Sequence, residues 1–74
     1  MMSLRGARRL AVLAQVQALG VVVLDTFGLK RIRFNVGATT GQIETAIEEL
    51  ARTGEVLVRV AGGQIVVAAV GGGA

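Results

Sequence analysis

The sequence has no cysteine and no histidine. The first absence excludes disulfides and thiolate metal ligands. The second removes the remaining donor that zinc and haem sites favour, and leaves iron–sulfur clusters without ligands. Ser–His and Cys–His nucleophile pairs are excluded together. The expectation is a chain that is not an enzyme and holds no metal and no cofactor. Aromatic residues are almost absent too, with Phe27 and Phe34 as the two present. Because 53% of the residues are hydrophobic, the core must be aliphatic, built from Val, Leu, Ile and Ala.

Long hydrophobic runs are also missing. Leu10 to Leu24 is the most apolar stretch, but Gln15, Gln17 and Gly20 interrupt it. It falls short of the ~20 apolar residues of a transmembrane helix. Arg5, Arg8 and Arg9 ahead of it resemble the start of a signal peptide. Two glutamines inside the stretch argue against that, and its removal would leave too little chain to fold. The expectation is a cytoplasmic protein with no membrane association. Its 74 residues suit one domain and are too few for two. A domain of this size buries only ~60% of its unfolded surface.

What is present is charge of uneven distribution. The net charge is +3. Residues 1–40 carry Arg5, Arg8, Arg9, Lys30, Arg31 and Arg33 against Asp25 alone. Residues 41–74 carry Arg52 and Arg59 against Glu44, Glu48, Glu49 and Glu55. Arginine dominates the cations, which suits phosphate or carboxylate forks. Solubility is the competing explanation.

Local signals then order the chain. Ser3 is a candidate cap for a first helix ending near Leu19. Leu4, Ala7, Leu10, Ala11, Ala14 and Ala18 keep helical spacing, with Leu13 beside them. Val21 to Leu24 is short and β-branched, and reads as a strand. Asp25 is placed to cap a second helix. Its apolar positions are Phe27, Leu29, Ile32 and Val36, with Lys30, Arg31 and Arg33 mostly outward. Gly28 weakens that helix by ~1 kcal/mol relative to Ala. Thr39-Thr40-Gly41-Gln42 has the form of a capping box. Ile43, Ala46, Ile47, Leu50 and Ala51 follow as the apolar stripe of a third helix. Gly20, Gly37 and Gly54 mark the three helix ends. Glu55–Ala61 and Gln64–Val70 are strands joined at Gly62-Gly63, a tight hairpin turn. Gly71-Gly72-Gly73 precedes no helix, so it is not a phosphate loop; residues 70–74 read as a frayed tail on a single domain spanning 1–74. Ile43, Ile47 and Leu50 are expected to pack on Leu10, Leu13 and Ile32.

The order is αβααββ, an α+β class. From Ile32 onward the residues resemble the winged helix-turn-helix superfamily. Val36, the Gly37-Ala38 turn, the Thr39 cap and the Ile43 anchor match its turn. Ile47, Leu50, Gly54 and Val56 match its third helix and the approach to the hairpin wing. Gly37 suits the sharp turn, Ala38 plugs the junction, and Ile43, Ile47 and Leu50 seal the third helix onto the first two. One position departs: Arg33 stands where a small residue lets helices two and three cross closely. Either its guanidinium snorkels outward or the register differs by a turn. The size resembles the small winged-helix proteins linked to bacterial ferrous-iron transport. Those carry a wing cysteine cluster that this chain lacks, so an iron–sulfur switch is not implied.

The resemblance implies a DNA-binding transcription regulator, with the third helix in the major groove of double-stranded DNA. Arg5, Arg8, Arg9, Lys30, Arg31 and Arg33 are the candidate backbone contacts, joined by Thr40, Arg52 and Arg59. Gln42 and Thr45 are candidate base readers, and Gln42 doubles as a capping residue. Against this stand Glu44, Glu48 and Glu49 on the same helix and a wing tip without charge. The alternative is a protein-interaction module using the Glu44, Glu48, Glu49 face. Both hairpin faces are largely apolar, so one remains to be covered. A homodimer built on the hairpin or helix one is the expected answer.

Overall fold

The computed structural model describes residues 4–70. Its elements are α1 (Leu4–Leu19), β1 (Val21–Val23), α2 (Thr26–Val36), α3 (Thr40–Arg52), β2 (Val56–Ala61) and β3 (Gln64–Ala69). The expected α+β order αβααββ is therefore present. The Ser3 cap and residues 71–74 of the expected 70–74 tail lie outside the described residues, while Val70 N–H donates to the Glu55 carbonyl at 3.1 Å. Among the described residues, no helix is long and apolar enough to cross a membrane.

The three strands form one antiparallel sheet in the order β1-β3-β2. β3 is central, so Val67 sits between Val22 and Val58. The hairpin turns at Gly62 and Gly63, whose φ values of 59° and 77° are those a two-residue turn of matching twist requires. Leu24 N–H extends the β1 edge by donating to the Ile65 carbonyl at 2.8 Å.

The helix ends follow their local chemistry. Asp25 Oδ1 accepts from Gly28 N–H at 2.8 Å. Thr39 Oγ1 accepts from Gln42 N–H at 3.2 Å, and Gln42 Oε1 accepts from Thr39 N–H at 3.0 Å. That reciprocal pair closes the capping box and sets where α3 begins. Gly37 takes φ 74° and donates to the Arg33 carbonyl at 2.8 Å, a left-handed stop that glycine adopts without strain. Thr39→Ala should therefore cost ~1 kcal/mol, lowering Tm by about 4–8 °C in a domain of this size. An unchanged thermal melt by circular dichroism would show that the box does not hold α3.

The core is aliphatic, as expected. Ile32, Ile43, Leu50, Val12, Val16, Val56 and Val67 are its largest fully buried side chains. The α3 stripe lies inward as read from its spacing. The reading of α1 needs correction. Leu10 is 45% exposed, and Leu4, Ala7, Ala14 and Ala18 also lie outward. The buried residues are Val12, Leu13 and Val16. An alanine-rich helix is apolar nearly all round, so its spacing supports more than one stripe. The stripe used runs Arg5, Arg9, Val12, Val16, with the valines in the core and the arginines reaching Glu49 on α3. Phe27 is also corrected: it is 81% exposed rather than an inward position of α2, where Ile32 alone is buried.

Candidate nucleic-acid interface

No polar or charged side chain among the described residues is buried. Every candidate site residue therefore acts from the surface, and position rather than desolvation decides its chemistry.

Two hollows flank the first turn of α3. One, of about 570 Å³, lies between α1 and α3 and is lined by Arg5, Arg8, Gln42, Thr45 and Glu49. The other, of about 470 Å³, lies beside the α2–α3 turn and is lined by Lys30, Arg33, Phe34 and Gly37. Thr39 borders both. Arg5, Arg8, Lys30 and Arg33 thus surround the start of α3, where the helix dipole favours an anion.

Glu49 changes the charge pattern expected of α3. Its side chain is only 16% exposed. Arg5 Nε donates to its Oε1 at 2.6 Å, and Arg9 Nη1 lies 3.8 Å from its Oε2. Such surface pairs contribute ~0–1 kcal/mol to stability, but they remove one carboxylate from the outward face. The expected outward trio is therefore a pair, Glu44 and Glu48, with Glu49 turned to α1. Arg5 and Arg9 are correspondingly less available than Arg8, Lys30 and Arg33, which make no ion pair among the described residues.

The remaining candidates divide. Gln42 is half-buried, and its amide oxygen is committed to the Thr39 cap. Thr45 is exposed, with its hydroxyl donating to the Gly41 carbonyl at 3.0 Å. Thr40 opens α3 and is half-buried. Arg52 lies at the far end of α3, beside Arg9, Glu49 and Thr53. Arg31 lies apart, next to Leu19, Val21 and Phe27. Arg59 is exposed on the outer sheet face, opposite Val66. The front-half cations therefore do not form one patch. Arg33 is exposed, consistent with the outward course and removing any need for a shifted register.

Sequence reasoning missed two surfaces. One is an outward stripe on α2, Phe27, Lys30, Arg31 and Phe34, visible in retrospect from the spacing of three and four. Phe34 is 89% exposed. The other is an apolar groove between α3 and the hairpin, with Ile47 and Ala51 on one wall and Val58 and Ile65 on the other. No local signal announces it, because its walls come from different elements. No family model, no curated protein and no solved structure matches this chain.

Proposed function

We propose that the chain is a winged helix-turn-helix domain that docks the first turn of α3 on double-stranded DNA. Three helices followed by a hairpin in a β1-β3-β2 sheet, with Thr39 capping the helix after the Gly37 turn, support the fold reading. One observation carries the DNA reading: the two basic hollows meet at Thr39, so Arg8 and the Lys30/Arg33 pair straddle the start of α3. Phosphate neutralisation supplies most of the affinity of such domains. In this reading Arg8, Lys30 and Arg33 hold the backbone, and Arg5 joins when its pair with Glu49 yields. Of the two candidate base readers, Gln42 is half-buried and Thr45 is the exposed one.

With three to four phosphates neutralised, log Kd against log salt should have a slope of magnitude about 3, at ~0.9 per phosphate. Arg8→Ala and Arg33→Ala should each lower that slope by about 1 and weaken all sequences alike, whereas Thr45→Ala should alter sequence preference. Fluorescence anisotropy of labelled duplex at low ionic strength checks this. Absence of binding there rejects the DNA reading, since electrostatic association is the least such a domain should show. The alternative, a protein-interaction module, draws support from the Glu44 and Glu48 edge of the apolar groove.

A further inference from the structure

α2 presents a cationic aromatic ridge. Phe27, Lys30, Arg31 and Phe34 follow one another at spacings of three, one and three, so they share a face of the helix. The two rings are set about 10 Å apart along the axis, at ~1.5 Å per residue. Both are among the most exposed large apolar side chains of the described chain. Isolated apolar residues on a surface are ordinary, but two rings bracketing two cations form a shaped patch.

The opposite shape occurs on the same molecule. The groove between α3 and the hairpin has a volume of about 420 Å³. Leu29, Ile47, Ala51, Val58 and Ile65 line it. Its polar edge is Glu44 and Glu48, the two carboxylates of α3 that make no ion pair among the described residues. A ridge of rings and cations and a groove of aliphatics and carboxylates are complementary in both polarity and charge.

Two-fold contacts are less favourable. Centring a dimer on α2 sets Lys30 and Arg31 against their own copies, and centring one on the outer sheet face does the same with Arg59. Like charges facing each other across a contact disfavour it. Ridge against groove pairs unlike charges instead. Leu29, on the groove wall, is two residues from Phe27 and so about 200° away around α2, at 3.6 residues per turn. Ridge and groove therefore lie on different sides of the molecule, and both are available at once.

We propose that the ridge Phe27–Lys30–Arg31–Phe34 of one copy docks in the Glu44/Glu48-edged groove of a second copy. The contact is heterologous: each copy offers a ridge to one neighbour and a groove to another, which builds a ring or an open chain rather than a closed two-fold dimer. It does not depend on DNA binding and is tested without nucleic acid.

The experiment is sedimentation velocity of the whole chain in low-salt buffer. The wild type should show a mean mass that keeps rising with concentration past the dimer, or settles at a ring. Lys30→Glu/Arg31→Glu and Glu44→Lys/Glu48→Lys should each weaken self-association by about tenfold or more. Mixed one to one, the two variants should associate again past the dimer, because one contact is native and the other pairs unlike charges with their signs exchanged. All four positions are exposed, and unchanged circular dichroism and Tm establish that the variants fold. Phe27→Ala/Phe34→Ala should abolish association in wild-type charge background. A wild type that stays monomeric at millimolar concentration overturns the proposal. So does either charge variant associating as the wild type does, or a mixture that remains monomeric.

Discussion

Leu50→Ala is expected to destabilise the domain by ~2–5 kcal/mol, the range for deleting a large buried aliphatic side chain. Leu50 has no exposed surface and belongs to the cluster of Val12, Val16, Ile32 and Ile43. At 0.05–0.15 kcal/mol per residue, 74 residues correspond to a total stability of about 4–11 kcal/mol. One truncation thus removes between a fifth and all of it. The backbone role of the residue survives the change, because it is the Leu50 carbonyl that accepts from Glu55 N–H at 2.9 Å and from the Thr53 hydroxyl at 3.1 Å. The loss therefore reports packing of α3 on α1 and α2. Urea unfolding measures it: the midpoint should fall steeply with little change in slope. A midpoint equal to that of the wild type would mean that α3 is not seated as described.

Gly28→Ala should also destabilise, although helix propensity alone predicts the reverse. Alanine in the body of a helix is favoured over glycine by ~1 kcal/mol. Here, however, a Cβ on Gly28 would lie 1.9 Å from the Val23 carbonyl oxygen and 3.1 Å from its carbon. That neighbour is backbone, and its residue is held in the sheet opposite Val66, so it cannot swing aside as a side-chain tip would. Overpacking of this kind costs about 1–3 kcal/mol and at times more. With a 1.9 Å approach to fixed backbone the clash lies at the upper end of that range and outweighs the propensity, so a net loss of up to about 2 kcal/mol is expected. Gly41→Ala is the control: nothing beyond its chain neighbours and its own helix backbone lies within 4 Å of its Cβ position, so propensity acts unopposed and Tm should rise. A rise in Tm for both variants would show that α2 does not press on β1.

Much of the candidate site was readable only in part. Arg8, Lys30 and Arg33 were recognisable as surface cations from their spacing, and the start of α3 from its capping box. That they flank the same turn was not readable, since α1 and α2 reach Thr39 from opposite sides. The carboxylate count of α3 was misjudged for a similar reason. Glu49 shares the helical surface with Glu48 in sequence terms, and nothing local says that Arg5, 44 residues away, turns it toward α1.

The element order, the helix ends and the inward face of α3 follow from local chemistry along the chain. Each depends on interactions within a few residues: Asp25 on Gly28, Thr39 on Gln42, Gly37 on Arg33, and the apolar repeat from Ile43 to Leu50. Tertiary structure alone decided which face of α1 is buried, that both phenylalanines lie outside, and that Gly28 is required for contact with β1. An alanine-rich helix offers several apolar stripes of similar merit, and long-range packing selects among them. Once Val12 and Val16 meet α3 and Ile32 fills the space beneath α2, the geometry of the helix turns Leu10, Phe27 and Phe34 to the surface, whatever their own hydrophobicity favours.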